Sequence, residues 1–172
     1  KNEILKVSFF SSILYTFSLS AQDIYHAARM NNVGLMDSLY QSGVDLNAPN
    51  AMGYTPLILS VYGNHQEATA YLLAKKVDAN VQDKSGNTAL MGAAFKGYLP
   101  MVSLLLEHGA DVNKVNYQDA PALVFAATFG HADIVQVLLS HGANKDLRDS
   151  RGKSARDHAL IQENSSLAKL LE

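Results

Sequence analysis

Paired apolar residues return along this chain at one fixed interval. Leu72-Leu73, Leu105-Leu106 and Leu138-Leu139 lie 33 positions apart, and Leu39-Tyr40 fills the same register one step earlier. Leu57, Leu90 and Leu123 form a second series at that interval, beginning at Ile24. Polar phrases alternate with them: "QSGVDLN" from 41, "AKKVDAN" from 74, "EHGADVN" from 107 and "SHGANKD" from 140. Gly53, Gly86, Asp119 and Gly152 mark a turn once per period. A period of this length predicts supersecondary units that cannot cover their apolar faces alone and therefore stack.

The unit "KSGNTALMGAAFKGYLPMVSLLLEHGADVN" shows what each copy builds. Ser85-Gly86-Asn87 is a turn signal, and Thr88 stands where a hydroxyl can accept a free backbone N–H at a helix start. Leu90, Ala93 and Ala94 give a short first helix a small-residue apolar face, which Gly97 ends. Pro100 suits the first turn of a second helix, because the N–H it lacks would have no partner there. Met101, Val102, Leu104 and Leu105 form that helix's apolar stripe. Gly109 can take the positive φ of a helix C-terminus, and Ala110 to Asn113 return as a loop whose Asp and Asn side chains are available to tie it.

These residues resemble the ankyrin repeat. Gly53-Tyr54-Thr55-Pro56-Leu57 carries its start, Gly130-His131 and Ile134-Val135 its middle, and Gly109-Ala110-Asp111-Val112-Asn113 its end. The resemblance implies an all-α solenoid of paired antiparallel helices with β-turn fingers. Units are expected at about 18–50, 51–83, 84–116 and 117–149, with a C-terminal cap at 150–172, so that 21–172 form one domain. Several positions depart from the family pattern. Ile58, Met91 and Val124 stand where it has histidine, Lys76-Val77 replaces Gly-Ala, and Asp119 and Pro121 replace a glycine and a threonine. Arg156-Asp157 opens the last unit with charge, as befits a terminal repeat facing solvent.

Composition narrows the chemistry. A net charge of −2 and the absence of cysteine argue against general attraction to nucleic acid or anionic membrane and exclude thiolate catalysis, disulfides and Cys-type zinc sites. The first twenty residues differ from the rest. Lys1 and Lys6 precede a largely apolar stretch from Val7 to Leu19 and the small residues Ser18 to Ala21, the layout of a secretory signal peptide cut after Ser20 or Ala21. The other reading of 1–20 is a capping helix with Ser8, Ser11, Ser12 and Tyr15 on one face. A cleaved leader implies a periplasmic or secreted protein without a membrane anchor; a retained one, a cytoplasmic protein.

Catalytic signals are weak. Gly152-Lys153-Ser154 ends like a phosphate-binding loop, but Leu147 stands where that loop needs glycine, and the triplet falls on the repeat's own turn. His65 and His131 occupy the family's G-H position, where a structural hydrogen bond is expected. His108 and His141 are expected near helix C-termini in solvent, and His26 and His158 share a register too far apart to cooperate. No metal site, cofactor or catalytic residue is therefore assigned.

Positions that vary between copies remain free for recognition. By resemblance to the family, the concave surface comes from the turn tips and the exposed end of each first helix. The candidate partner-binding residues there are Arg29, Met30, Met52, Tyr54, Tyr62, Lys84, Asn87, Phe95, Lys96, Tyr117, Phe129 and Lys153, accompanied in the same registers by Ala51, Ser85, Gln118, Ala120, Thr128 and Arg151. Aromatic and basic residues dominate, the types that anchor protein interfaces. The expectation is a monomeric, non-enzymatic module that engages a partner protein through an aromatic, weakly basic concave face. Phe95 and Phe129 could instead pack sideways between repeats. Resemblance to short bacterial ankyrin proteins that assist catalase implies a second possibility, a haem or small-ligand accessory in oxidative-stress defence.

Overall fold

A computed structural model describes residues 24–172; the leader or capping helix expected at 1–20 lies outside the described residues. Helical residues 24–29 form α1. There follow α2 (Val33–Gln41), α3 (Pro56–Tyr62), α4 (Gln66–Ala74), α5 (Ala89–Lys96), α6 (Leu99–Glu107), α7 (Ala122–Thr128), α8 (Ala132–Ser140), α9 (Ala155–Ile161) and α10 (Ser165–Leu170). Each repeat pairs a first helix with a second one. α3, α5, α7 and α9 stack in one layer, and α2, α4, α6 and α8 in another. The solenoid read from the 33-residue period is thus the fold. No strand occurs among the described residues, only the bridges Val115–Pro121 and Arg148–Ser154. No helix among them is long and apolar enough to cross a membrane.

Local chemistry starts and stops the helices where the unit predicts. The hydroxyls of Thr55, Thr88 and Ser154 accept the backbone N–H groups of Ile58, Met91 and Asp157, satisfying donors that a helix leaves open at its start. Pro121 caps α7 without a side-chain bond. The rings of His65 and His131 face back across one repeat, placing Nε2 2.7 Å from the Arg29 carbonyl and 3.3 Å from that of Phe95. Gly97 ends α5 with φ 76°, and a Cβ there would lie 2.6 Å from the His131 ring. This glycine therefore serves both the turn and the close approach of the next repeat.

Burial follows register. Ile24, Leu57, Leu90 and Leu123 are buried in the first-helix layer, and Leu72, Leu105 and Leu138 in the second. The repeated phrase ending in Asn joins neighbouring copies. Oδ1 of Asn47, Asn80 and Asn113 accepts the backbone N–H of Asp78, Asp111 and Asn144 at 2.8, 2.7 and 2.7 Å. Nδ2 of Asn80 and Asn113 donates to the Gly109 and Gly142 carbonyls, each at 3.1 Å. Truncating Asn80 to alanine removes two bonds that bind the second repeat to the third. At roughly 0.5–1.5 kcal/mol per bond, urea unfolding should show a loss of about 1 to 3 kcal/mol, and Asn113→Ala should match it.

Candidate functional site

The fingers are built on a second ladder, Asn50, Asp83, Asn116 and Asp149. In each, Oδ1 accepts two backbone N–H groups of its own turn, at 2.8 to 3.0 Å: Met52 and Tyr54, Ser85 and Asn87, Gln118 and Ala120, Arg151 and Lys153. Asn and Asp favour this geometry because a short side chain can replace the next residues' backbone carbonyls. The fingers also join sideways. The Tyr117 N–H donates to the Ser85 carbonyl (3.2 Å), the Ser150 N–H to that of Gln118 (2.8 Å), and Asn116 Nδ2 to Asn87 Oδ1 (2.9 Å). The tips are held as a row, so exposed residues on them are displayed rather than loose.

Between fingers and first helices runs an aromatic track. Tyr54 and Tyr62 meet edge to face with ring centres 6.1 Å apart, and Phe95 and Phe129 do so at 4.6 Å. Tyr62 lies over Gly92, where an added Cβ would stand 3.2 Å from its ring. Burial raises the Tyr62 phenol's pKa, and the nearby Asp83 and Tyr54 add to that. Both tyrosines are half-buried against the core, whereas Phe95 and Phe129 pack together yet remain 38% and 49% exposed. Sideways packing and display therefore coexist in this pair.

Two sockets open on the track. A slot of about 220 Å³ is walled by Tyr62, Phe95 and Phe125 over Gly92, with Asn87 and Met91 completing it. A wider socket of about 550 Å³ lies between the fourth repeat and the cap, lined on its apolar side by Phe125, Phe129 and Ile161 and on its polar side by Asp149, Arg151, Lys153 and His158. Asp149 and His158 are buried, with Nε2 2.9 Å from Oδ2, and Arg151 Nη2 reaches the same oxygen at 3.4 Å. Burial alone would raise the Asp149 pKa. The Lys153 N–H, the His158 hydrogen bond and the Arg151 N–H outweigh it, and the carboxyl falls from 3.8 to about 2.

The candidates from sequence divide accordingly. Tyr54, Tyr62, Asn87 and Phe95 surround or border the slot, and Phe129 and Lys153 line the socket with Gln118, Thr128 and Arg151. Tyr117 is 72% exposed beside Gly86, and Lys96 Nζ stands 5.7 Å from the Phe95 ring centre. Arg29, Met30, Met52 and Lys84 are exposed in the same registers but enter neither socket. Arg29, Lys84, Lys96 and Lys153 have no carboxylate partner among the described residues. One expectation is corrected: Ala120 is buried, because the finger folds its backbone N–H onto Asn116 and its methyl inward.

Phe125 and Ile161 are not among the candidates from sequence, and His158 is considered there only as a register partner of His26. Ile161 shares the register of Tyr62, Phe95 and Thr128, so extending that series into the terminal unit reaches it, whereas His158 and Phe125 stand in the register of Leu59 and Gly92, which carried no candidate. Among the described residues no group of three metal-ligating side chains converges on one point. Family models match the chain in two stretches: ankyrin repeats (3 copies) over residues 24–116, and ankyrin repeats (many copies) over 105–159. No curated protein gives a significant match.

Proposed function

Because the chain belongs to the ankyrin-repeat family, whose repeats are protein–protein interaction modules, we propose that its partner protein docks on the finger face through the aromatic track. The carrying observation is the Phe95–Phe129 pair, locked ring against ring and still open to solvent. Tyr117 and Ile161 extend this apolar surface, and Arg29, Lys84, Lys96 and Lys153 along it have no acid partner among the described residues. Exposed apolar patches bordered by polar groups mark interaction sites, and rigid aromatics lose little entropy when covered. The cations steer an acidic or mixed partner surface toward the track. The family is generally non-enzymatic, and this reading needs no catalytic group.

A photo-crosslinking residue placed at Gln118, on the finger face, or at Gln136, exposed on α8, tests the assignment in the protein's own host. Adducts are expected from position 118 and not from 136. The Phe95→Ala/Phe129→Ala double variant, once shown to be folded by circular dichroism, should reduce the adduct at least tenfold. Equal crosslinking from both positions, or an undiminished adduct in the folded double variant, would remove the track from the account.

A further inference from the structure

The two sockets are neighbours, and they differ in chemistry. Phe125 is a wall of both. The slot has three rings over a glycine floor and no charged residue in its lining, and its 220 Å³ suits one aliphatic or aromatic side chain. The socket carries Arg151 and Lys153 beside a single carboxylate, Asp149, whose oxygens already accept bonds from Arg151, Lys153 and His158. Two cations against one carboxylate leave the socket net positive toward an incoming group. We infer that the track reads a short partner segment carrying an apolar side chain for the slot and a carboxylate for the socket, three residues apart in a polyproline-type extended chain. This rests on the docking face proposed above and specifies what docks there.

Spacing selects the conformation. The slot lies between α5 and α7 and the socket between α7 and α9, so they stand one repeat apart, roughly the 8–10 Å at which helices pack. A polyproline-type chain advances about 3.1 Å per residue with three residues per turn, so positions i and i+3 face the same way about 9 Å apart. In a β-strand, same-side residues are about 6.7 or 13 Å apart, which misses the interval on either side. A helix matches it only at i and i+7, about 10.5 Å, but its backbone groups are already satisfied. Gln118 and Gln162 also line the socket, and their amides suit the unpaired N–H and C=O groups that an extended chain brings.

Acetylated, amidated twelve-residue peptides of proline and serine, carrying one Leu and one Glu at spacings of two, three, four or seven in both orders, are the probes. They are titrated into the ¹⁵N-labelled protein. At spacing three, in at least one order, the Gly92 and Ser150 amides should shift together. Binding should be at least fivefold tighter than at spacing two or four, and Glu→Gln in the peptide should weaken it at least fivefold. In the Arg151→Gln/Lys153→Gln variant the Gly92 shift should persist while the Glu–Gln difference disappears. Tighter binding at spacing seven, equal binding of the Glu and Gln peptides, or silence at Gly92 would overturn the inference. If crosslinking from Gln118 survives such a result, the docking face stands and only this specificity falls.

Discussion

Alanine at Gly86 is expected to lower stability by about 3 to 4 kcal/mol, whereas alanine at Gly109 should lower it by only about 1 kcal/mol. Both glycines have positive φ, 79° and 85°, where an L side chain crowds the following carbonyl. That penalty, roughly 1–2 kcal/mol, is common to both. The difference lies in what the new methyl meets. At Gly109 nothing stands within 4 Å; at Gly86 the Cβ would be 2.6 Å from the Tyr117 backbone nitrogen and 2.7 Å from its ring. That nitrogen bonds to the Ser85 carbonyl, so the next finger cannot retreat without losing the contact. Overpacking of this kind adds about 1–3 kcal/mol. Two further variants check the logic. A Cβ at Gly53 would stand 2.7 Å from the Lys84 nitrogen, so Gly53→Ala should behave like Gly86→Ala. A Cβ at Gly152 would meet nothing within 4 Å among the described residues, so Gly152→Ala should behave like Gly109→Ala. Equal losses in urea unfolding across all four would mean that the close approach of fingers contributes no stability.

The same contrast shows how scaffold and site are joined. Tyr117 is the most exposed large aromatic of the face, and its position depends on a glycine one repeat away. A folded Gly86→Ala protein should therefore also crosslink less from Gln118, although no residue of either socket has changed. Asp119, with φ 57°, stands in the register of these glycines and already carries a Cβ. Two residues further on is the buried Pro121, beside the wider socket.

What the sequence shows clearly is whatever recurs. The period assigns Leu57, Leu90 and Leu123 to one layer and Leu72, Leu105 and Leu138 to the other, since an unpaired apolar face is costly in every copy. Thr88, Gly97, Pro100 and Gly109 are legible from local chemistry alone, because each acts within a residue or two of itself. Bonds between copies are harder to read. Asn80 could be recognised as able to tie a loop, but not that the loop belongs to the next repeat. The ladder Asn50, Asp83, Asn116, Asp149 alternates two residue types, so a search for identical letters passes over it, although both side chains offer the same oxygen to the same two N–H groups. His158 was the least legible. Nothing local distinguishes it from the exposed His26 in its register; its burial depends on Asp149 arriving from the finger before it.

That pair carries the second large effect. Asp149→Ala should cost about 3 kcal/mol near pH 7, since two part-buried N–H donors and the buried His158 bond lose their acceptor together. Asp149→Asn should cost less, about 2 kcal/mol, because asparagine serves the same turn at positions 50 and 116 and only the charge is lost. The pH dependence identifies that charge. The carboxyl titrates at about 2 in the folded chain against an ordinary 3.8. A depressed folded pKa means stability fully present above the unfolded value and lost as pH falls through the folded one. The gap between wild type and Asp149→Asn should be widest from pH 5 upward and should close between about pH 4 and pH 2. Urea midpoints at pH 6 and pH 2.5 measure it, and a gap that does not narrow would show that His158 and Arg151 draw no stability from the carboxylate's charge. The consequence reaches the socket, because the two N–H groups that Asp149 holds belong to Arg151 and Lys153. Its oxygen sets the turn from which both cations face the partner, so Asp149→Asn should leave peptide recognition nearly intact while Asp149→Ala, if folded, should erase the preference for Glu over Gln.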